Sequence, residues 1–451
     1  MPIFKRMMYM NKIKNLSESD FLKLFFGFLA LCFCAAAFCM PDVKDIFTGF
    51  LKIQTSVCKV STNYFALGGY AATFLNMGLV CALYLGLMVL FKANANNVTT
   101  LGVVLTVGFS AWGINVLNVW PTILGVVVYG LVKKEKLSGL VNAMIYSTGI
   151  APIISEMLLR YPNAEAVGFN PLGLFLALLV GLFIGFCLPA GLAHAPKVHK
   201  GFDLYSAAVP IGMMAFILQG TLYKTMGVAL PAAPGADTLA VASSLIVNIF
   251  CCVFFGGCVL LSLALGGKLQ DYWKLITGDF TPSISAAHGN AMLLMNVGFY
   301  GLFILAYYNL IGAQFNAVTF GCIFCMLACC NSGSHPGNVW PIMLGYVLGS
   351  FGFGWFSQLL GGSFSLGINA QAIVIGLCFA NGLSPIAGRY GWHWGVVSAV
   401  LHYLLVSSVP NLHGGFCLYN GGLTAALICV FLVPVMEKFA LTKEEKKAAI
   451  Q

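Results

Sequence analysis

Charge is what this chain has least of. Lys, Arg, Asp and Glu supply 8% of its 451 residues, against about a quarter in a soluble domain, which excludes an ordinary soluble globular protein. Acids are scarcer than bases, 14 against 23. No His-Glu-x-x-His, phosphate-cradling glycine loop or dinucleotide fingerprint occurs, so the usual metal-hydrolase and nucleotide-binding classes have no foothold. The short alternating segments of a membrane barrel are missing too. No catalytic residue, metal or cofactor is expected.

What the chain has instead is apolar length. It is 59% hydrophobic with a mean hydropathy of +0.90, and several runs, 21–40 and 239–265 among them, reach the roughly 20 residues that cross a bilayer as helix. The expected fold class is all-α, a polytopic integral membrane protein. Lys5, Arg6, Lys12 and Lys14 precede the first run as in a signal peptide, but the run is of spanning length and continues past Ala35-Ala36-Ala37, so it reads as a retained first span. Most of the sixteen cysteines lie inside apolar runs, where a thiol behaves as a small hydrophobe. That includes Cys322-x-x-Cys325, whose redox or metal spacing has no second pair of ligands nearby. The net charge of +9 is strung along loops and termini and sets topology; no nucleic-acid partner is expected.

The chain also repeats itself. Asn118-Val119-Trp120-Pro121 returns as Asn338-Val339-Trp340-Pro341, and Asn76-Met77-Gly78 as Asn296-Val297-Gly298, both shifted by 220 (338 − 118; 296 − 76). Gly149-Ile150-Ala151-Pro152 answers to Gly382-Leu383-Ser384-Pro385, a shift of 233 (382 − 149). The segment His199–Tyr205 answers to His413–Tyr419, a shift of 214 (413 − 199). Four matches in one order indicate internal duplication, and duplicated membrane halves are typical of solute carriers, whose pathway runs between repeats. The expected organisation is a basic N-terminal segment 1–20, a first repeat 21–220, a linker 221–238, a second repeat 239–437 and a tail 438–451.

Each half divides into seven apolar segments: 21–40, 66–91, 99–117, 118–132, 139–159, 171–195 and 205–220, then 239–266, 288–311, 317–336, 338–356, 364–387, 391–410 and 420–437. Some are short or broken by Gly and Pro, which suits re-entrant hairpins. With both termini in the cytoplasm of a bacterial-type inner (plasma) membrane, Lys92, Lys133, Lys134, Lys136, Lys197, Lys200, Lys268, Lys274, Arg389 and the tail lysines fall inside. Lys44, Lys52, Lys59, Arg160 and Lys224 are left outside. That agrees with the positive-inside rule. An odd number of crossings per half inverts the second repeat; a parallel arrangement needs an even number.

The candidate substrate-binding residues come from the repeats. Pro152 and Pro385 interrupt long apolar segments and mark broken spans, tolerated at membrane depth only inside protein or along a wet cavity. Glu156 and Arg389 occupy equivalent positions near those breaks, and an ionisable group in hydrocarbon is a functional candidate; both could also end at opposite membrane surfaces. Asn118 and Asn338 could hydrogen-bond a polar solute or cap the next helix. Asn76 and Asn296, deep in their spans, suit either interhelical hydrogen bonding or the pathway. His335 could gate, move a proton or bind solute, or be an ordinary loop histidine. Glu156, Asp203 and His335 are the candidates for coupling, and Asp203 has only Cys417 at its equivalent position.

The recurring Gly-Phe-x-Leu-Tyr element followed by small residues and an apolar span, as in Gly415–Ala426, resembles the Gly/Tyr/Asn motifs of urea transporters, which are duplicated inverted-repeat channels. The whole chain resembles an uncharacterised family of bacterial multi-span membrane proteins known only as a domain of unknown function; that likeness implies integral-membrane character and no substrate. The expected function is a transporter or facilitative channel, not an enzyme, with a small polar solute and the bilayer as partners and a homo-oligomer left open. The alternative is an intramembrane enzyme for a lipid-linked substrate, with His335, Ser332 and Ser334 as its one cluster.

Overall fold

The computed structural model describes residues 13, 16–230, 244–364 and 366–449. Most of the basic N-terminal segment, residues 231–238 of the expected linker and the first five residues of the second repeat lie outside the described residues.

The first half runs α1 (Glu18–Ala37), α2 (Ile46–Gln54), α3 (Tyr64–Gly68), α4 (Tyr70–Leu90), α5 (Asn97–Phe109), α6 (Trp120–Lys133), α7 (Leu137–Ser147), α8 (Ala151–Leu159), α9 (Pro171–His199) and α10 (Ala208–Gln219). The second runs α11 (Ser244–Ala264), α12 (Leu269–Thr277), α13 (Ile284–His288), α14 (Asn290–Leu310), α15 (Ala317–Leu327), α16 (Pro336–Leu359), α17 (Gln371–Ala380), α18 (Ser384–Tyr390), α19 (Trp392–Val406) and α20 (Asn420–Phe439), with α21 (Lys443–Ala448) in the tail. The order is the same in both halves, α1–α10 against α11–α20. Every expected apolar segment holds a helix. The short α2, α3, α12 and α13 were not anticipated, because five to nine residues cannot make a spanning run.

Among the described residues nine helical stretches are long and apolar enough to cross a membrane, with α7–α8, α17–α18 and α20–α21 each counted as one. This is a multi-pass membrane architecture. Four further apolar helices, α5, α6, α15 (extended to Asn331) and α19, are shorter. The 13 residues of α5 give about 20 Å of helix, short of a hydrocarbon core of about 30 Å.

The duplication extends to individual bonds. Asn96 caps α5 by accepting from Thr99 N at 3.0 Å, and Asn316 caps α15 by accepting from Thr319 N at 2.9 Å, because an Asn side chain satisfies a free N–H of the first turn. Gly69 (φ 89°) and Gly289 (φ 83°) make the left-handed joints α3–α4 and α13–α14, a conformation that costs glycine little. The amide of Asn76 donates to Ser110 O (2.7 Å) and Ile114 O (2.9 Å); that of Asn296 donates to Cys330 O (2.8 Å) and Ser334 O (2.9 Å). All three positions shift by 220.

The halves meet reciprocally. Cys325 Sγ donates to Leu105 O at 3.4 Å, joining two positions that the 220 shift relates. Leu204 N donates to Gly382 O and Leu418 N to Gly149 O, both at 3.0 Å. Each half's loop thus seats on the other half's helix break. Glycine is needed there for space, since a Cβ on Gly149 would lie 1.7 Å from the Tyr419 ring and one on Gly382 2.6 Å from the Tyr205 ring.

Candidate functional site

The breaks themselves have a local cause. Thr148–Ile150 and Asn381–Leu383 form single 3₁₀ turns between α7 and α8 and between α17 and α18, and Pro152 and Pro385 sit in the first turn of the continuing helix, where a missing N–H costs nothing. A tyrosine pins each: Tyr84 Oη lies 2.7 Å from Thr148 Oγ1, and Tyr300 donates to Asn381 Oδ1 at 2.7 Å.

Against the second break lies the loop 200–207. Lys200 (φ 51°) and Gly201 (φ 77°) turn the chain out of α9. His199 organises the rest of the loop: its Nδ1 accepts from Asp203 N (3.4 Å) and its Nε2 pairs with Ser206 Oγ (2.8 Å). Asp203 Oδ1 accepts from Tyr205 N at 2.9 Å. The other carboxylate oxygen, Oδ2, is buried with no hydrogen-bond partner among the described residues. Burial pushes the Asp203 carboxyl up to about 7, partly offset by the Tyr205 N–H.

Asp203 lines a cavity of about 510 Å³. Asn97 and Leu101 of α5, Asn142 and Tyr146 of α7, and Pro189 and Leu192 of α9 form its wall, and Phe280, Ser332 and Arg389 close it from the second half. The Arg389 guanidinium stands 5.2 Å from the ring centroids of both Phe202 and Phe280, an attractive cation–π geometry. Arg389 makes no ion pair among the described residues.

A smaller cavity, about 300 Å³, is lined by Val60, Gln371, Ile375, Pro410 and Asn420. Its positions repeat the larger one: Val60 stands for Phe280 (shift 220), Ile375 for Asn142 (233) and Asn420 for Ser206 (214). In the second copy of the loop His413 Nδ1 again accepts, here from Cys417 N at 3.2 Å. Its Nε2 has no partner among the described residues.

The remaining expected residues are spread over separate places. Glu156 is fully buried in α8 and carries a two-point ion pair with Arg160, whose Nη2 lies 2.5 Å from Oε2 and Nε 2.9 Å from Oε1. Next to it Asn118 donates to Gly113 O and Ser155 Oγ, both 3.0 Å. Burial pulls the nearby Lys59 ammonium down to about 8, and Glu156 opposes that shift. Asn338 accepts from His335 N (3.1 Å) and donates to Gly333 O (2.8 Å), tying the start of α16. His335 sits there as the residue before α16, 4% exposed, with Nδ1 unpartnered among the described residues, beside a third cavity of about 450 Å³. Asn76 and Asn296 spend their amides on interhelical carbonyls. Of the expected binding residues only Arg389 lines the cavity of about 510 Å³.

Sequence reasoning did not place Asn97, Asn142, Ser206 or Phe280 in a binding site, because the cavity is assembled from separated stretches of both halves. The Glu156–Arg160 pair was missed as well, although residues four apart on a helix face one another and that spacing could have found it.

Fold and cavities define a duplicated multi-pass membrane protein. The family model described as protein of unknown function (DUF1576) matches residues 42–224 and again 271–438, one match for each half. The chain belongs to that family. No curated protein and no solved structure matches it.

Proposed function

We propose that the protein is a transporter or facilitative channel for a small polar solute, with its path between two repeats that cross the membrane in opposite directions. The carrying observation is the pair of cavities built from equivalent positions, one of about 510 Å³ and the other of about 300 Å³. In an inverted arrangement they open to opposite faces around one axis, which alternating access requires. The reciprocal bonds of Leu204 and Leu418 are what a two-fold relation produces. Lys92 before α5 and Lys133 after α6 favour a re-entrant hairpin of these two short helices from the positive, cytoplasmic side. The larger cavity, near Lys197 and Lys200, then opens inward. Both termini lie in the cytoplasm of the plasma membrane in this arrangement.

Two measurements test this. Purified full-length protein in proteoliposomes should conduct at least one labelled member of a panel of ureas, amides, organic anions and amino acids; flux equal to protein-free vesicles for all of them ends the transport reading. In a variant with the exposed Cys39 and Cys252 changed to serine, an impermeant maleimide should label Lys197→Cys and Leu412→Cys from opposite faces. Labelling from one face would make the repeats parallel.

A further inference from the structure

We propose that the larger cavity binds a small organic monoanion together with one proton, the anion on Arg389 and the proton on Asp203. The proposal rests on the transport reading and names its substrate class and coupling.

Asp203 is 2% exposed; one of its oxygens is spent on Tyr205 N and the other has no partner among the described residues. The groups packed around it are His199 at the end of α9, Tyr205 on its own loop, Cys329 from the 3₁₀ turn 328–331, Cys429 from α20 and, lining the same cavity, Arg389. None of them forms an ion pair with Asp203. A buried carboxylate without a cation is costly, and taking up a proton removes the cost. The raised pKa of about 7 puts that exchange in the working range of a cell.

Arg389 offers the complementary half. Its guanidinium is held between two rings and is paired with no carboxylate of the described residues. A planar fork of N–H donors matches the two oxygens of a carboxylate. One cation calls for one negative charge, and the apolar wall around Leu101 and Leu192 suits a small carbon body. Anion and proton are then linked. An anion entering beside ionised Asp203 meets a like charge, while one entering beside the protonated acid does not. Each therefore raises the affinity of the other, by the reciprocity of binding equilibria.

The probe is labelled pyruvate, a monoanion, bound to full-length protein in lipid nanodiscs across pH. Wild-type affinity should fall about tenfold per pH unit above a pH of about 7, the slope of one proton taken up per anion. Asp203→Asn should bind with an affinity independent of pH. Arg389→Gln should bind at least about tenfold more weakly at every pH, as loss of a charge-assisted bidentate contact does, and Arg389→Lys should recover part of that loss. A flat wild-type profile, or an Asp203→Asn variant that keeps the slope, overturns the coupling. A wild type that binds no pyruvate at any pH overturns the anion assignment, and the transport reading then still stands or falls on the broader solute panel. Monodisperse elution of each variant separates loss of binding from loss of fold.

Discussion

The loop after α9 and the loop before α20 share a backbone and differ in chemistry. In both, a histidine Nδ1 accepts the N–H four residues on, from Asp203 in one case and Cys417 in the other, and a leucine N–H reaches across to the opposite break. Yet one loop presents to a large cavity a carboxylate whose Oδ2 has no partner among the described residues, while the other carries a thiol at that position and leads into Asn420 at the wall of a small cavity. The duplicated scaffold carries bonds that any half needs in order to fold. Under the transport proposal, direction and selectivity reside in the positions where the copies disagree.

The largest test of that contrast is Glu156 against Arg389. Glu156→Gln strands the Arg160 guanidinium, 14% exposed as a side chain, and should cost about 3–5 kcal/mol, as removing one partner of a buried ion pair does. Arg389→Gln removes two ring contacts at a cavity wall and breaks no ion pair of the described residues, so it should cost about 1 kcal/mol. Chemical denaturation of the two variants in detergent should separate them clearly; equal losses would make Arg389 structural.

Next in size is the close approach at the breaks. Gly149→Ala must displace the buried Tyr419 ring and should destabilise by about 3 kcal/mol, at the upper end for overpacking. Gly382→Ala, with 2.6 Å available, should cost less. The reverse order in melting temperature would contradict the asymmetry.

Asn76→Ala and Asn296→Ala each orphan two buried carbonyls and should each cost about 2 kcal/mol. Their effects should agree within about 0.5 kcal/mol, because the carbonyl bonds they break correspond under one shift and each also strands one donor, Gln54 Nε2 in the first half and Tyr272 Oη in the second. A wide gap would mean that equivalent geometry hides unequal strain.

The smallest effect is one of slope. The pKa of Asp203 is raised in the folded protein, so its contribution to stability is full in acid and is lost as pH rises from the ordinary carboxylate range through about 7. Melting temperature measured across that window should fall more in wild type than in Asp203→Asn. Parallel curves would remove Asp203 as the group that titrates.

Much of the fold was readable in the sequence because hydrophobic runs and the 220-residue shift are both strong patterns. The fourteen expected segments all hold helices, and Pro152 and Pro385 do open the continuing helices after a break. What escaped were α2, α3, α12 and α13, too short to leave a hydropathy signal, and the walls of the cavity. Asn97, Asn142 and Phe280 are unremarkable one by one and gain meaning only through tertiary packing. Asp203 was visible as a mismatch with Cys417. Its missing hydrogen-bond partner was not, since an unpaired oxygen is a property of the surroundings and not of the residue.

The contact between Leu105 and Cys325 has one more consequence. If the two halves are related by a two-fold axis, equivalent positions touch only where that axis passes, and α5 meets its own counterpart there. In a pair of separate half-length chains the same contact would be isologous, and every substitution in it would be felt twice. Fusion into one polypeptide removed that constraint. Leucine can face cysteine, and one lobe can keep a hydrogen-bonding thiol that the other lacks without the seam being lost.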